Sequence, residues 1–276
     1  MKINDKKKPL LSISIVIYAL DRAVLTNTIQ SIAVAAQSLP SDLSIDQLSL
    51  IDNGDNKKEI DSIIKDFVGS SLAIEYIATE RNLGYGRAHN IAITNSTSKY
   101  HLILNPDVIV SPLSLYNGLQ YFEKNECAVA LSPAAVDGDD NTQYLAKEYP
   151  SLFILLLRAL DNKALNNRFR KLLNEYENNE IVQNNKATEV DIISGCFMLC
   201  RTRSLQEIGG FDNRYFLYFE DFALSIELQK FGKVMYLPEM RIVHFGGNSS
   251  KKGIRHIGLF ILSMLKFFNR YGWKLY

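Results

Sequence analysis

The sequence has little cysteine and almost no excess of charge of either sign. Its 276 residues include three cysteines, and no two of them have the Cys-x-x-Cys spacing typical of zinc and redox sites. We therefore expect no disulfide framework and a reducing compartment such as the cytoplasm. Lys and Arg together number 31 and Asp and Glu 30, which gives a net charge of +1. Because proteins that bind duplex nucleic acid usually carry a basic excess or stripe, we expect no nucleic-acid partner.

Long apolar runs are also missing. The longest candidates, Leu152–Leu157 and Ile257–Leu265, each stop at a basic residue. Both are shorter than the roughly 18 residues that a membrane-spanning helix needs. Leu10–Leu20, after a lysine-rich start, contains two serines and no small-residue cleavage site, so we expect no signal peptide. These absences predict a soluble or peripheral protein.

The first half of the sequence contains a regular alternation of strand-like and helix-like segments. Short apolar, β-branched runs predict strands at Leu11–Ile17, Gln47–Ile51, Leu72–Ala78 and Tyr100–Leu104. Helical spacing predicts helices at 24–37, 57–67, 85–95 and 112–124, the last with Ser111 as cap and Pro112 in its first turn. This order predicts βαβ units, and so a mostly parallel sheet flanked by helices.

The second half follows a different pattern. The sequence predicts a long helix at 151–180, an apolar segment at 190–200, a helix at 219–231, short strands at 233–237 and 241–245, and a final helix at 256–271. The final helix has an apolar stripe, and Lys251, Lys252 and Arg255 lie just before it. The stripe is typical of a helix packed on a core or in a homodimer. Peripheral attachment to an anionic membrane is the alternative.

Polar residues follow three of the predicted parallel strands. Asp52, Asn82 and Asp107 are expected along one edge of the sheet, where such folds bind ligands. Asp52 begins an Asp-Asn-Gly sequence typical of hairpins, but the helix that follows favours a ligand-facing position, from which a carboxylate can accept the imide N–H of uracil or thymine. Asp107 either ends its strand in an Asn-Pro turn or holds a divalent metal, for which one carboxylate plus phosphate oxygens suffices.

Three further groups have both a structural and a chemical interpretation. Gly84-Tyr85-Gly86 lacks the last glycine of the dinucleotide fingerprint, so it is either a simple helix start or a place where a phosphate approaches the backbone. Glu220 and Asp221 follow an aromatic run, and they either stabilise a helix N-terminus or supply a general base with a raised pKa. His244 precedes a glycine-rich loop and is either structural or a metal or diphosphate ligand.

Taken in order, these motifs resemble family 2 glycosyltransferases, which are inverting enzymes of the GT-A fold, and most strongly the bacterial rhamnosyltransferase-like members. The resemblance covers Ser12 to about Val110 and Val190 to about Ser250. It rests on seven motifs: Ile51–Gly54, Asn82–Asn90, Leu104–Val108, Ser194–Met198, Gly209–Asp212, Phe216–Asp221 and His244–Gly247. The family often has Thr-Tyr-Asn after the first strand, whereas this chain has Ile17-Tyr18-Ala19 and lacks the asparagine.

The resemblance implies a domain division and a role for each site residue. It implies one GT-A domain at 1–250, with a nucleotide-sugar-binding half at 1–132, an acceptor and catalytic half at 133–250, and an amphipathic helix at 251–276. Asp221 is expected as catalytic base with Glu220 beside it, and Asp107 and His244 as ligands of Mg²⁺ or Mn²⁺. The expected nucleotide-sugar contacts are Tyr18, Asp52, Asn82, Gly84, Arg87, Asn105 and Asp107.

The resemblance also implies a reaction. An inverting glycosyltransferase would move a sugar from dTDP-L-rhamnose, or from a UDP-hexose as runner-up, to a hydroxyl of a surface polysaccharide such as O-antigen or of a lipid-linked oligosaccharide. Two alternatives stay open. A sugar-nucleotide nucleotidyltransferase should have a glycine-rich basic loop after its first strand, which Ala19–Arg22 does not supply. A non-catalytic saccharide-binding protein would have no need of Asp107, Asp221 and His244.

Overall fold

The computed structural model describes residues 10–40, 43–160, 162–246 and 253–276. The alternation expected in the first half is confirmed. Its strands are β1 (Leu11–Ile17), β2 (Ile45–Asp52), β3 (Ile74–Ala78), β4 (Tyr100–Leu104) and β5 (Val108–Val110). Its helices are α1 (Arg22–Gln37), α2 (Lys57–Asp66), α3 (Tyr85–Asn95) and α4 (Ser114–Lys124).

The second half contributes the remaining elements. Its strands are β6 (Ala128–Val136), β7 (Thr142–Gln143), β8 (Ala146–Lys147), β9 (Thr188–Glu189), β10 (Ile192–Ile193), β11 (Phe197–Arg201) and β12 (Lys233–His244). Its helices are α5 (Leu152–Leu160), α6 (Lys163–Arg168), α7 (Arg170–Tyr176), α8 (Asn179–Asn184), α9 (Thr202–Glu207), α10 (Glu220–Leu228) and α11 (Ile254–Tyr271). None of the helices in the described ranges is long and apolar enough to cross a membrane.

One large sheet organises the fold, in the order β3-β2-β1-β4-β11-β6-β12-β5. The four strands at the β3 end are parallel, as predicted, and β1 is buried along its whole length because helices cover both faces. The parallel register places Ile17 beside Asp52 and Asp52 beside Ala78, so these strands end together at one edge. β11 enters antiparallel between β4 and β6, and β12 runs parallel to β6. The division predicted at residue 132 falls inside β6, so the two halves share this sheet.

The long helix predicted at 151–180 is wrong. The chain forms four shorter helices there, and asparagines mark two of the three breaks, while Phe169 marks the third. The Asn162 side chain caps α6 by accepting the backbone N–H groups of Ala164 and Leu165, and Asn178 has a left-handed φ of 54° before α8. Asparagine favours caps and left-handed turns, since its short amide competes with helical hydrogen bonds.

Two boundary predictions also need correction. The short strands predicted at 233–237 and 241–245 form the single strand β12, whose register against β6 shifts between Leu237 and Arg241. Pro238 lies in that irregular stretch and has no N–H to donate to a ladder. Ser111 does not cap α4 through its side chain. The helix begins at Ser114, whose N–H donates to the Ser111 carbonyl in the preceding turn.

Helix α11 has apolar residues on two sides. The apolar stripe predicted from the sequence is therefore divided between a buried side and an exposed side. Phe267 and Phe268 are fully buried against Phe219 and its neighbours, as the core interpretation predicted. Ile261 and Leu265, with Ile257 and Leu262, are 38 to 56% exposed. The predicted basic residues at 251 and 252, and the glycine-rich loop at 247–250, lie outside the described residues.

Candidate active site

Asp52 is the most heavily bonded carboxylate at the strand ends. It is 2% exposed. Its Oδ1 accepts the Gly54 N–H (3.1 Å) and the Asn56 Nδ2 (2.9 Å), and its Oδ2 accepts the Asn56 N–H (2.8 Å) and the Tyr76 hydroxyl (3.1 Å). Burial raises the pKa of Asp52, but these hydrogen bonds outweigh burial and leave the pKa below its ordinary value. A nucleobase imide would have to replace one of these donors, because a carboxylate has about four acceptor positions.

Asn53 ties the end of β2 to the loop before α3. Its Nδ2 donates to Asn82 Oδ1 (2.9 Å) and to the Gly84 carbonyl (3.0 Å), and its Oδ1 accepts the Leu83 N–H (2.8 Å). Gly84 has a φ of 84°, and a Cβ there would collide with the carbonyl of Phe216. Only glycine therefore fits at this position. The Asn82 side chain is accordingly occupied in shaping the loop.

Arg87 and Tyr18 differ in how free their side chains are. The Arg87 guanidinium donates from Nε to the Asn213 carbonyl (2.7 Å), which joins α3 to the segment before α10. The Tyr18 ring is 64% exposed directly after β1. Its carbonyl accepts the Asn56 Nδ2 (3.2 Å), which also donates to Asp52, so the backbone that carries this exposed aromatic face lies beside the Asp52 loop. Such a face suits stacking of a nucleobase.

Asp221 is held by backbone groups from two segments. Its Oδ2 accepts the Gly195 N–H (2.9 Å), and its Oδ1 accepts the Phe222 N–H (3.0 Å). Tyr85, at the start of α3, donates its hydroxyl to the Gly195 carbonyl (2.5 Å). Burial raises the pKa of Asp221, while the two N–H groups and the positive charge of Lys147 act in the opposite direction. The result is an oriented carboxylate of raised basicity, as a general base requires.

The backbone before Asp221 is strained. Tyr218 and Phe219 both have left-handed conformations, with φ of 71° and 63°. Each such residue costs about 1–3 kcal/mol, and this cost is met where the surrounding structure over-determines the conformation. Phe219 is 3% exposed in the aromatic cluster under α11, which supplies that constraint. The strain sets the direction in which α10 begins, and therefore where its first two carboxylates lie.

Glu220 lies in a different environment from its neighbour. It is 5% exposed, and its Oε2 has no hydrogen-bond partner. Burial, together with the adjacent Asp221, raises the pKa of Glu220 to about 8. Glu220 is therefore protonated near neutral pH. Of the two acids, Asp221 is the one with fixed geometry and an ionised form stabilised by N–H donors.

Asp107 and His244 meet where β5 pairs with β12. The Asp107 Oδ1 and the His244 Nε2 lie 3.6 Å apart, and neither has a hydrogen-bond partner. The other ring nitrogen, Nδ1, lies 2.8 Å from Gln143 Oε1. Because that oxygen only accepts, the Nδ1 carries the proton and the Nε2 presents a lone pair. Burial lowers the pKa of His244 although Asp107 raises it, so the imidazole is neutral.

Gly246 keeps open the space between these two side chains. A Cβ at this position would lie 2.5 Å from Asp107 Oδ2 and 2.7 Å from His244 Nε2. Any other residue would therefore fill the space that the unpartnered oxygen and nitrogen face. The Gln143 Nε2 donates to the carbonyls of His244 (2.9 Å) and Gly246 (3.2 Å), which holds this turn in place.

A short segment links this pair to Asp221. The Asn105 N–H donates to the Cys196 carbonyl (2.9 Å), and Gly195, one residue earlier, donates its N–H to Asp221. Asn105 thus contributes a backbone contact that holds the turn before Asp107. The structure brings Asp107, His244, Tyr85 and Asp221 around Gly195 and Cys196, and Asn53 joins Asp52 to the same edge.

Comparison with known proteins identifies the family. The profile of Glycosyl transferase family 2 matches residues 12–209. The chain belongs to glycosyltransferase family 2. A rhamnosyltransferase of Escherichia coli K12, WbbL, is 26% identical over 208 residues, covering 71% of this chain and 73% of that protein. An N-acetylglucosaminyl-diphospho-decaprenol L-rhamnosyltransferase of Mycobacterium tuberculosis CDC 1551 is 26% identical over 231 residues, covering 79% of this chain and 72% of that protein.

Solved structures define the fold of this glycosyltransferase. A mannosyltransferase from Pyrobaculum calidifontis, crystallised with GDP-Man and Mn²⁺, superimposes with a TM-score of 0.61 and 14% identity. The match covers 96% of this chain and 65% of that one. The mixed sheet with flanking helices is therefore a GT-A fold, as the sequence predicted. Family membership also sets aside the nucleotidyltransferase and the non-catalytic binding protein.

The residues present fit a divalent metal in this glycosyltransferase. Asp107 offers a hard oxygen and His244 a neutral nitrogen, and Gly246 leaves room beside both. Within the described residues, no cluster of three or more His, Cys, Asp or Glu side chains could enclose a metal ion. Two protein ligands suit Mg²⁺ or Mn²⁺ when diphosphate oxygens and waters complete the coordination.

Three residues that contribute to the site were not identified as site residues from the sequence. Gln143 lies on a two-residue strand, and Asn53 is hidden in a sequence typical of turns. Lys147 belongs to another two-residue strand. Burial and, to a smaller extent, the nearby charge of Arg158 lower the pKa of Lys147 to about 8. No local pattern marks these residues, because their roles depend on partners remote in the chain.

Proposed function

We propose that this glycosyltransferase moves L-rhamnose from dTDP-L-rhamnose to a hydroxyl of a saccharide or lipid-linked saccharide, with inversion at the anomeric carbon. The observation that carries the proposal is the Asp107–His244 pair. Its unpartnered oxygen and nitrogen face a space kept open by Gly246 and are linked through Cys196 and Gly195 to Asp221. A diphosphate site beside a general base is the arrangement that sugar transfer from a nucleotide donor needs.

Asp221 removes the proton from the acceptor hydroxyl. The Gly195 and Phe222 N–H groups hold its carboxylate in one orientation, and the charge of Lys147 favours the ionised form. Deprotonation makes the hydroxyl oxygen a stronger nucleophile as it attacks the anomeric carbon, and a positioned base contributes roughly 10²–10⁴ in rate. A divalent metal held by Asp107 and His244 would offset negative charge on the departing diphosphate.

The nucleotide lies along the edge where β1 and β2 end. We assign the exposed Tyr18 ring as the surface on which the base stacks and Asp52 as the acceptor of its imide N–H. Asn82 and Gly84 shape the loop beside it, Arg87 fixes α3, and Asn105 fixes the turn before Asp107. The choice of rhamnose follows the two rhamnosyltransferase relatives, and a UDP-hexose is the competing donor.

We assign the exposed side of α11 as the surface that contacts an anionic membrane. Ile257, Ile261, Leu262 and Leu265 are exposed there, although the opposite side of the helix already fills the core. Arg255 and Lys266 on the same helix are also exposed, and basic residues near an anionic leaflet contribute about 1 kcal/mol each. Such contact suits a lipid-linked acceptor. A homodimer is the competing occupant of this face.

Calorimetry with dTDP, UDP and GDP, each with and without Mn²⁺, tests the proposal. We expect metal-dependent binding of dTDP and UDP that is tighter than binding of GDP, and metal-dependent hydrolysis of dTDP-L-rhamnose without added acceptor. Tight binding of GDP alone would overturn the donor assignment. Absence of all nucleotide binding would overturn the proposed function.

A further inference from the structure

A large cleft lies in the part of the chain that no sequence motif covers. It encloses about 990 Å³ between the segment from Asn167 to Gln183, the residues around Tyr149 and Ile154, and the C-terminal tail. The backbone N–H groups of Leu152 and Phe153 donate to the carbonyls of Lys274 and Leu275, which fixes the tail along its rim. Ligand sites commonly measure roughly 300–1,000 Å³, so this cleft admits a ligand of more than one sugar ring.

The lining of the cleft combines tyrosine rings with amide groups that lack partners. Tyr149 and Tyr276 contribute the rings, whereas Tyr176 is 4% exposed and packs its ring against Lys147 and Arg158. Asn178 is 5% exposed, and its Nδ2 has no hydrogen-bond partner. The Oδ1 of the partly buried Asn179 also has no partner. A buried amide without a partner costs about 1–3 kcal/mol, which a bound polar ligand can recover. One free donor and one free acceptor beside aromatic rings suit hydroxyl groups and a sugar ring.

The charges around the cleft nearly balance. Its basic side chains are Arg168, Arg170, Lys171 and Lys274, and its acidic ones are Glu148, Glu175 and Glu180. A site for a nucleoside diphosphate would need a clear positive excess or a metal ligand set. The balance therefore favours a neutral, hydroxyl-rich ligand over a strongly anionic one.

The wall of this cleft is continuous with the site around Asp221. Tyr176 accepts the Glu148 N–H at its carbonyl (2.9 Å), and the Lys147 Nζ lies 5.6 Å from the centre of its ring. Lys147 pairs with Ile192 across β8 and β10, and β10 leads directly to Gly195, whose N–H binds Asp221. The cleft thus adjoins the strand that leads to the general base.

We propose that the cleft bounded by Tyr149, Tyr176, Asn178 and Asn179 binds a neutral oligosaccharide. This oligosaccharide is the part of the acceptor that is remote from the reacting hydroxyl. The assignment rests on the proposed function. Sugars beyond the reacting unit would then contribute to acceptor choice through contacts that the donor never makes.

The test measures capture of the full-length protein on an array of immobilised bacterial O-antigen and capsular oligosaccharides. Asn178→Asp removes the free amide donor while keeping a residue that tolerates the left-handed backbone. Gln183→Trp places bulk on the exposed rim of the cleft, where it costs little stability, so it decides the matter if Asn178→Asp does not fold. Asn184→Trp, exposed and outside the cleft on α8, is the matched control.

We expect the parent and Asn184→Trp to bind neutral oligosaccharides alike, and the two cleft variants to bind about tenfold more weakly. Capture of no glycan by the parent, or undiminished binding by both cleft variants, would overturn the cleft assignment. Calorimetry with dTDP and Mn²⁺ separates this from the proposed function. If the parent binds dTDP but no glycan, only the cleft assignment is overturned. If it binds a glycan but no nucleotide, the cleft assignment is supported and the transferase proposal is overturned.

Discussion

The Asp107 Oδ1 and the His244 Nε2 lie 3.6 Å apart, and neither atom has a hydrogen-bond partner. Gln143 fixes the orientation and tautomer of the imidazole, so that the lone pair on Nε2 faces the carboxylate. A neutral nitrogen and a carboxylate oxygen side by side would repel each other unless a cation or a proton lay between them. The pair therefore suits a metal ion that takes its remaining ligands from elsewhere, as we propose.

The first prediction concerns that position. Asp107→Ala should abolish the tightening of dTDP binding by Mn²⁺, and His244→Ala should reduce it. Gly246→Ala should also weaken it, because the added Cβ lies 2.5 Å from the Asp107 Oδ2. Calorimetry with and without Mn²⁺ measures the effect.

Gly258→Ala is the matched control for the glycine variant, since a Cβ at Gly258 on α11 meets nothing within 4 Å. It should bind Mn²⁺ and dTDP as the parent does. Activity that persists in excess chelator would contradict the metal assignment altogether.

The second prediction concerns Asp221. Asp221→Asn should lower the transfer rate by roughly 10²–10⁴ and leave dTDP binding unchanged, because the variant keeps its shape but cannot accept a proton. In the parent, the rate should rise with pH through the raised pKa of Asp221. Lys147→Met should move that rise to higher pH, because Lys147 lowers the pKa of Asp221. Rate measurements from pH 4 to pH 9 test this, with Asp61→Asn on α2 as control. Near-parental turnover by Asp221→Asn would refute the assignment.

The third prediction concerns Asp52. Asp52→Asn should weaken dTDP and UDP binding alike, by about tenfold, because both bases present the same imide N–H. Tyr76→Phe removes one of the protein donors that Asp52 now accepts, and should leave or improve binding. The dissociation constants of the three proteins decide the matter. Equal loss of nucleotide binding in both variants would mean that Asp52 acts only by holding the loop after β2.

The fourth prediction concerns the pH dependence of stability. Folding raises the pKa of Glu220 to about 8, whereas the unfolded chain loses that proton near its ordinary value of about 4.3. Because the folded state binds the extra proton in this range, the stability contributed by Glu220 is present below about pH 4 and is lost as pH rises to about 8. Glu220→Gln should therefore match the parent near pH 4.5 and melt at a higher temperature at pH 8.5.

Thermal melting at the two pH values provides the measurement. The exposed Glu80→Gln should follow the parent at both. A Glu220→Gln variant whose melting temperature stays below that of the parent at pH 8.5 would show that folding does not raise the pKa of Glu220.

The fifth prediction concerns the exposed side of α11. The double variant Ile261→Gln, Leu265→Gln should lose salt-sensitive co-sedimentation with anionic vesicles while keeping dTDP binding. Truncation before α11 is unsuitable, because it would remove the fully buried Phe267 and Phe268. Neutral vesicles are the control. Absence of vesicle binding by the parent, with a dimer in ultracentrifugation that the double variant breaks, would assign this face to a second copy.

Local patterns predicted those parts of the fold that depend on single elements. β1, β4 and α3 were predicted with their observed bounds, since buried β-branched runs and helical spacing are visible within one segment. The helices between Ser151 and Glu180 were predicted as one, because the breaks at Asn162 and Asn178 look like ordinary polar positions of a long helix. The strand β6 was missed, since its register is defined by β11 and β12 and by nothing in its own sequence.

The sequence by itself determined the alternating architecture, the family and the carboxylates that end β2, precede β5 and begin α10, because each follows from adjacent residues. The tertiary structure alone decided how those groups are used. It showed that four protein donors occupy Asp52, that Gly195 orients Asp221, and that Gln143, 101 positions away in the chain, fixes the tautomer of His244. The physical reason is that hydrogen bonds and burial depend on distance in space, and antiparallel insertion of β11 brings together segments that no local pattern connects.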